Sequence, residues 1–396
     1  MTISLHTISI TAVSICCTKH ALAPWRVLVI DKCGFYALRC GCRLTISRGC
    51  GIKSDVRILY VFKSVCIFAG AVVGAGFATG REIIVFFGDF GILSPVLAGV
   101  LMGAFAGLFM AVGKMMPSLK RDGSFCAIAA EWGFKTVDLV SVAATVLIFA
   151  TMVCGLEELL RELFGIEYLG LAAALLCVAS AGRDLKGVGA VNLTLVPLLA
   201  IMIVYLASKS GSVEEHLPVA IYPSVSYCAM NILLGGVLVA KDAQRASAVE
   251  IAAVSAISGT LMAALLAGVY CVSMGYAEFA MPIFEFCKEI GAGYIGAAIA
   301  VVAIVTTLVG AAKTLRDGAA HMLGSGISAS CAVALLAFAS AKLDFTFAVD
   351  TFYPFIGAAA SAVVIGMIPI FIAMIAARHA LPKRIKAYMR RRSSRQ

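Results

Sequence analysis

Long runs of apolar residues, separated by short polar stretches, make up most of this chain. After residue 57 there are ten such runs, each close to the roughly 20 residues that a helix needs to cross a bilayer. They cover about residues 60–88, 92–116, 137–157, 166–182, 187–208, 218–241, 247–273, 291–314, 324–341 and 352–377. The pattern predicts an all-α polytopic membrane protein with about ten transmembrane helices, which we number as segments one to ten.

The composition agrees with this class. Of the 396 residues, 61% are hydrophobic and 14% are charged, whereas soluble domains are about half apolar and about a quarter charged. The net charge of +10 would suit a nucleic-acid partner, but the positive residues are spread over short loops and both tails. We therefore expect a lipid bilayer, and no nucleic acid, as the partner.

The loops between the segments alternate in charge. If the basic C-terminal tail is cytoplasmic, every second loop before it should also be basic, because positive residues stay on the inner side. Those loops carry Lys313, Arg316, Lys241, Arg245, Arg183, Lys186, Lys114, Lys120, Arg121 and Lys135, while the opposite loops are mainly acidic. The charges predict a multi-pass protein of the cell (inner) membrane with both termini in the cytoplasm.

The first 56 residues differ from the rest. They hold six of the 14 cysteines, seven Lys or Arg residues and two acids, without helical periodicity. A zinc cluster is disfavoured because these cysteines lack paired Cys-x-x-Cys steps. We expect residues 1–56 to be an unstructured or mis-annotated extension with the real start near Val56 or Leu59. Residues 57–377 would form the transmembrane transporter domain, and 378–396 a basic cytoplasmic tail.

Segment one contains the least ordinary stretch of the chain. Gly74, Gly76 and Gly80 weaken the helix in the middle of the span, and Arg81 and Glu82 follow at a depth where charge is costly. Close helix packing explains the glycines but not the charged pair. Unwound backbone at membrane depth is tolerated where it lines a cavity, so the stretch predicts a broken helix at a binding site.

The fragment after the break is the expected anchor for a charged solute. A half-helix that starts near Thr79 would point its positive end towards an anionic group, for which a substrate carboxylate is the natural candidate. Segment six lies five spans later and carries Tyr227 and Asn231 on one helical face. Asn231 and the pair Gly235–Gly236 are candidate break points there; hydrogen bonding to a neighbouring helix is the alternative for the two polar residues.

Two further groups are candidates for ion binding and for a gate. Thr306 and Thr307 in segment eight could provide oxygen ligands to Na⁺, although threonine also back-bonds to its own helix. Asp350, at the outer start of segment ten, is within reach of Arg81 if segments one and ten adjoin. The alternative is a solvated loop aspartate.

Four motifs together resemble the YkvI family of bacterial membrane proteins, in the amino acid–polyamine–organocation superfamily with the LeuT-type fold. They are the run Gly70–Ile83, the helix with Ser226–Tyr227 and Asn231, the stretch Thr306–Gly310, and Tyr353–Gly357. The similarity covers about residues 58–377. The family tends to place Tyr and Asn side by side in segment six, whereas three residues intervene between Tyr227 and Asn231 here.

The resemblance implies two inverted five-helix repeats in which helices one and six are broken at mid-membrane. It also implies a sodium site between the backbone near Gly74 and Phe77 and the hydroxyls of Thr306 and Thr307. It names no substrate.

These observations predict a secondary active transporter that moves a small amino-acid-like solute by alternating access, driven by Na⁺ or H⁺. Glu82 would be the proton carrier in the second case. The expected substrate contacts are Gly74, Ala75, Gly76, Phe77, Thr79, Gly80, Tyr227 and Asn231, and the expected coupling and gate residues are Arg81, Glu82 and Asp350. A membrane receptor or sensor of the same fold is the alternative. No catalytic constellation is evident, the five histidines are scattered, and an enzyme with a cofactor is not expected.

Overall fold

The computed structural model of the protein describes residues 14–15, 44–46, 54–73, 75–121, 125–181, 188–211 and 218–380. A small antiparallel sheet comes first, in the order β1 (Ser14–Ile15), β2 (Leu44–Ile46) and β3 (Ser54–Val56). Ser14 pairs with Thr45, and Leu44 pairs with Val56. These strands lie in the stretch for which no regular structure is expected from sequence, and the predicted domain boundaries stay predictions.

Helices make up the rest of the described chain. They are α1 (Ile58–Val72), α2 (Ala75–Thr79), α3 (Arg81–Phe87), α4 (Leu93–Arg121), α5 (Phe125–Phe164), α6 (Leu169–Ser180), α7 (Val188–Ala207), α8 (Ile221–Asp242), α9 (Ala248–Ser273), α10 (Pro282–Glu289), α11 (Gly293–Leu323), α12 (Gly326–Ser340) and α13 (Phe345–Ala380). Two 3₁₀ turns, Ala243–Arg245 and Met274–Tyr276, follow α8 and α9.

Every predicted segment corresponds to a helix or a set of helices. Segment one is α1, α2 and α3, and segments two to seven are α4 to α9 in order. Segments eight, nine and ten are α11, α12 and α13. Helix α10 was not predicted, although Pro282 at its first turn is a favourable helix start.

The helices have the length and composition of membrane spans. By these two criteria alone, 5 helices of the described chain can cross a bilayer, and shorter apolar helices lie at Ile58–Val72, Leu169–Ser180, Val196–Ala207 and Gly326–Ser340. The α6 helix has 12 residues and rises about 18 Å, which is less than the roughly 30 Å of a hydrocarbon core. The protein is therefore a multi-pass membrane protein with spans of unequal length.

Helix packing repeats between the two halves of the chain. The contact of α4 with α8 has its counterpart in α1 with α9, and that of α5 with α6 in α11 with α12. Likewise α1 packs on α7 as α8 packs on α13, and α5 packs on α13 as α7 packs on α11. In each of these pairs of contacts, the helices of the second contact lie five segments away in the chain from those of the first. Five is an odd number of crossings, so the second half enters the bilayer from the opposite side, which makes the repeat inverted.

The α4–α9 contact shows how the halves come close. A Cβ added to Gly99 would lie 2.3 Å from the backbone N of Ala263, and one added to Gly103 would lie 2.4 Å from the Cα of Gly259. No side chain fits between backbones at these distances. The glycines of segment two are therefore packing residues, as small residues at four-residue spacing indicate.

The prediction that segment six is broken is wrong for this structure. Helix α8 runs without interruption from Ile221 to Asp242 through both proposed break points. Asn231 stays helical and donates a hydrogen bond from Nδ2 to the Tyr227 carbonyl one turn earlier, at 2.9 Å. An added Cβ on Gly235 would lie 2.9 Å from the Phe68 ring, and one on Gly236 would lie 3.2 Å from the Phe109 ring. The two glycines admit aromatic rings rather than unwind the backbone.

Candidate functional site

Segment one is broken where the glycines predict it. Helix α1 ends at Val72, α2 covers only Ala75–Thr79, and Gly80 then takes a φ of 81° before α3 begins. This left-handed conformation is open to glycine and strained for other residues. Gly74 lies outside the described residues, and only the backbone of Ala75 is described.

Two hydrogen bonds between near neighbours in sequence close the turn at the break. The Thr79 hydroxyl donates to the Gly76 carbonyl at 3.0 Å, and the Gly80 N–H donates to the same carbonyl at 3.1 Å. Thr79 and Phe77 are each only 1% exposed. Both side chains are therefore held within the protein.

Glu82 is the central polar residue of the site. It is 4% exposed, and its Oε1 accepts a hydrogen bond of 2.7 Å from the hydroxyl of Tyr227 on α8. The Tyr227 ring is fully buried and stands edge-on to Phe86 and Phe87, with centroids 5.2 and 5.4 Å away. A buried carboxylate is costly unless it is paired, and among the described residues no ion pair involves Glu82. The hydrogen bond to Tyr227 satisfies one of its two oxygens.

A small cavity lies beside Glu82, at the break in segment one. Its volume is about 40 Å³, and it is lined by Ala71, Val72, Gly76, Glu82, Ile148, Met152, Met230, Asn231, Thr307 and Tyr353. This volume holds a few water-sized groups and is far smaller than the ~300–1,000 Å³ of ordinary ligand pockets. The cavity in this structure is therefore too small for a ligand of ordinary size.

Gly76 determines how closely the cavity walls approach each other. An added Cβ there would lie 2.2 Å from Glu82 Oε2 and 3.1 Å from the hydroxyl of Tyr353. Oε2 of Glu82 thus rests against glycine backbone, and a side chain at position 76 would force the carboxyl group to move. Glycine at this position maintains both the cavity and the orientation of the carboxyl group.

Some predicted substrate contacts line this cavity and others do not. Gly76 and Asn231 line it, and Tyr227 reaches it only through Glu82. Phe77, Thr79 and Gly80 are not among the lining residues. The cavity walls contributed by Ile148 and Met152 of α5 and by Tyr353 of α13 were not identified from sequence, since nothing in a single segment shows which helices face the cavity.

The threonines of segment eight make local hydrogen bonds. Both hydroxyls donate to the Ala303 carbonyl, at 3.0 Å from Thr306 and 2.9 Å from Thr307. Thr307 lines the cavity, and α11 packs against α2. The lone pairs of both hydroxyls remain available as ligands. The sodium site itself stays a prediction, because the carbonyl of Gly74 lies outside the described residues.

Arg81 and Asp350 form an ion pair. Arg81 Nη2 lies 2.6 Å from Asp350 Oδ2, and Nε donates to Oδ1 at 3.0 Å, which is the bidentate geometry of a strong pair. Arg81 Nη1 also donates to the Ala277 carbonyl at 2.8 Å. The arginine side chain is 13% exposed and the aspartate side chain 41%. The pair joins α3 to α13 at the predicted outer end of segment one.

A second ion pair, missed from sequence, lies at the other end of segment one. Arg57 Nε lies 2.9 Å from Glu250 Oε1, and the Arg57 N–H donates to the same oxygen at 3.0 Å. Glu250 also completes a capping box with Ser247 at the start of α9. The pattern Ser-x-x-Glu indicates this cap in the sequence, whereas its arginine partner is 193 residues away and becomes evident only in the fold.

Comparison with known proteins agrees with the membrane assignment. No protein-family model matches the chain. The chain is 26% identical over 216 residues to the uncharacterized membrane protein YkvI of Bacillus subtilis (strain 168), a match that covers 50% of this chain and 62% of that protein. This relative confirms the resemblance to YkvI carried by the sequence motifs. The match spans less than two thirds of the relative's length.

Solved transporter structures are more distant. One is Mhp1, a nucleobase-cation-symport-1 family transporter in a closed conformation with bromovinylhydantoin bound, at 14% identity and a TM-score of 0.42 over 78% of this chain and 71% of that chain. Another is a manganese transporter of Eremococcus coleocola, at 14% identity and a TM-score of 0.40 over 85% of this chain and 74% of that chain.

Proposed function

We propose that the protein is a secondary active transporter that carries a small amino-acid-like solute across the membrane by alternating access. The observation that carries this proposal is the cavity at the break of segment one. A polytopic protein that only anchors or packs has no need of a buried carboxyl group beside an internal cavity. Broken spans with polar cavities are how transporters bind solutes within the bilayer.

The position of the cavity supports the proposal. It is lined from both halves of the inverted repeat: segments one and three in the first half, and segments six, eight and ten in the second. A site shared by two repeats changes its access when one repeat moves against the other. The two ion pairs, Arg81–Asp350 and Arg57–Glu250, join different helices at opposite ends of segment one. In this proposal, each pair breaks when the cavity opens on its side.

The coupling ion is proposed to be Na⁺ or H⁺. For Na⁺, the ligands would be the hydroxyls of Thr306 and Thr307 together with the backbone near Gly74 and Phe77, since hard cations bind oxygen. For H⁺, the carrier would be Glu82, whose burial without a cationic partner favours exchange of a proton. The two cases differ in which substitution removes the coupling.

Uptake by reconstituted protein tests the proposal. Full-length protein in proteoliposomes is offered labelled amino acids and related solutes, with NaCl or choline chloride outside and with or without a proton gradient. Solute accumulation that depends on one of the two gradients is the expected result. If Na⁺ drives it, Thr306→Ala with Thr307→Ala removes the coupling, and if H⁺ drives it, Glu82→Gln does.

A receptor or sensor would give a different result. It would show ligand-dependent stabilisation of the purified protein, because any ligand that binds the folded state raises its stability. It would show no accumulation in vesicles under either gradient. Such binding without uptake would refute the transport proposal.

A further inference from the structure

We infer that Glu82 is the binding site for a protonated amine, so that the solutes of this cavity are small primary ammonium compounds recognised through their N–H groups. The inference rests on the proposed function in taking the cavity as the solute site. It goes beyond that function in naming the charged group that the cavity selects. It also reverses the expectation from sequence that a carboxylate docks at the break.

The first argument is the charge of the cavity wall. Of its ten lining residues, Glu82 alone has an acidic carboxyl group, and none has a basic side chain. The other polar groups come from Asn231, Thr307 and Tyr353, and the remaining lining residues are glycine or apolar. A carboxylate solute would meet a negative group there and no positive one. A cation would complete the pairing that the buried acid lacks.

The second argument is that the neighbouring arginine is engaged elsewhere. Arg81 uses Nε and Nη2 for Asp350 and Nη1 for the Ala277 carbonyl. Its guanidinium is therefore held by α13 and by the turn after α9, and it is not among the cavity residues. Arg81 and Glu82 are adjacent in the sequence, but they do not form an ion pair with each other; Arg81 pairs with Asp350 and Glu82 is bonded to Tyr227.

The third argument is the hydrogen-bonding capacity of the wall. Tyr227 satisfies Oε1 of Glu82, while Oε2 lies beside Gly76 at the cavity. The Thr307 hydroxyl donates its hydrogen bond to the Ala303 carbonyl, so towards the cavity it offers only acceptor lone pairs. Asn231 donates one N–H to the Tyr227 carbonyl and keeps its second N–H and its Oδ1, and the Tyr353 hydroxyl can donate or accept. Acceptors therefore outnumber donors in the wall, and an ammonium group brings three donors and no acceptor.

The fourth argument separates an amine from a bare metal ion. Hard cations surround themselves with about six or more oxygen ligands. This cavity offers few polar side chains and a larger apolar wall, which includes Ile148, Met152 and Met230. An ammonium group with a short carbon chain suits both surfaces. The closed volume of about 40 Å³ also fits a head group of this size better than a whole amino acid.

Thermal stability of the full-length protein in lipid nanodiscs tests the inference. The probes are methylammonium chloride, tetramethylammonium chloride, sodium chloride and potassium acetate at equal ionic strength. We expect a concentration-dependent rise of the unfolding temperature with methylammonium alone, because tetramethylammonium has the charge but no N–H donor. An equal rise with tetramethylammonium, a rise with sodium that Glu82→Gln removes, or a rise with acetate alone would overturn the inference; a sodium effect that needs Thr306 and Thr307 instead belongs to the coupling ion.

Substitutions at Glu82 test whether methylammonium stabilises the protein by binding at this residue. In Glu82→Gln the apparent affinity for methylammonium should fall roughly tenfold or more, which corresponds to the loss of about 1.4 kcal/mol. Glu285→Gln is the matched control, because Glu285 pairs with Lys288 on α10 outside the cavity, and it should bind normally. Glu82→Asp keeps the charge and covers the case in which the glutamine variant does not fold; it should retain methylammonium binding with weaker affinity. Unchanged binding in Glu82→Gln, or none in Glu82→Asp, would contradict the assignment.

Labelled methylammonium in proteoliposomes separates this inference from the transport proposal. Methylammonium that stabilises the protein but never accumulates would refute transport and leave the amine site intact. Gradient-driven uptake of another solute that excess methylammonium does not inhibit would support transport and refute the amine site.

Discussion

Segments one and six occupy equivalent places in the two halves of the molecule but have different backbones. Segment one is divided into α1, α2 and α3, whereas segment six is the single helix α8. Both segments contain several glycines and polar side chains, and both were predicted to be broken. The difference shows that glycine content alone does not decide whether a membrane helix unwinds.

The surroundings of the glycines explain the difference. Gly80 has a positive φ and lies so near α9 that an added Cβ would be 2.2 Å from Ser273 Oγ. Gly235 and Gly236 keep helical geometry and receive the rings of Phe68 and Phe109. In the first case glycine permits a turn, and in the second it makes room for a neighbour. The broken segment provides the acid, and the unbroken segment provides the tyrosine that orients it.

The largest effect is expected at the turn itself. Gly80→Ala should destabilise the protein by about 2–4 kcal/mol, because it combines a left-handed conformation costing about 1–2 kcal/mol with overpacking against Ser273. The matched change in segment six, Gly236→Ala, keeps helical φ and needs only small shifts of the Ile232 side chain and the Phe109 ring, so it should cost less than about 1 kcal/mol. Chemical unfolding in lipid bicelles measures both. Equal costs would mean that the break does not depend on Gly80.

The next effect concerns the cavity beside the break. Gly76→Ala should destabilise by about 1–3 kcal/mol, because its Cβ would displace the Glu82 carboxyl group. It should also abolish the solute-dependent rise in unfolding temperature. Gly310→Ala on α11 is the control: nothing lies within 4 Å of an added Cβ there, and alanine should stabilise the helix by up to about 1 kcal/mol. A Gly76→Ala variant that still binds solute would place the site elsewhere.

A third effect tests the link between the two segments. Tyr227→Phe leaves Oε1 of Glu82 without its donor and should cost about 1–3 kcal/mol, the range for a hydrogen bond to a buried charged group. In a double-mutant cycle with Glu82→Gln, the two changes should be coupled by at least about 0.5 kcal/mol. Tyr270→Phe removes a comparable hydroxyl that donates to the Phe90 carbonyl and should show no coupling to Glu82. Additive effects of Tyr227→Phe and Glu82→Gln would show that the bond contributes nothing.

The smallest effect on stability is expected at the outer ion pair. Asp350→Asn should cost no more than about 1 kcal/mol, because the aspartate is exposed and water screens such pairs. The change should instead increase the rate at which a thiol reagent applied outside labels a cysteine introduced near Arg81. The charge exchange of Arg81→Asp with Asp350→Arg should restore slow labelling. Labelling that is insensitive to Asp350 would exclude the pair from control of outer access.

Much of the site could be predicted from local patterns. The glycines around Gly76 and the adjacent charged residues Arg81 and Glu82 predicted a broken helix, because both are unfavourable in an ordinary span. Asp350 was considered as a partner of Arg81 from the depth of each residue, with a solvated loop aspartate as the alternative, and the structure shows the ion pair. The continuous α8 was not predicted, since Gly235 and Gly236 have the same local preference as the glycines of segment one.

The sequence by itself determined the ten apolar segments, their membrane character and the place where segment one breaks. Hydrophobic run length, helix propensity and the cost of charge in lipid are local properties, and they act on each segment before it meets another. Only the tertiary structure decided that segment six stays whole, that Tyr227 donates to Glu82, and that Arg57 reaches Glu250. These outcomes depend on which side chains meet across distant helices, and packing at atomic distances, rather than residue type, determines that.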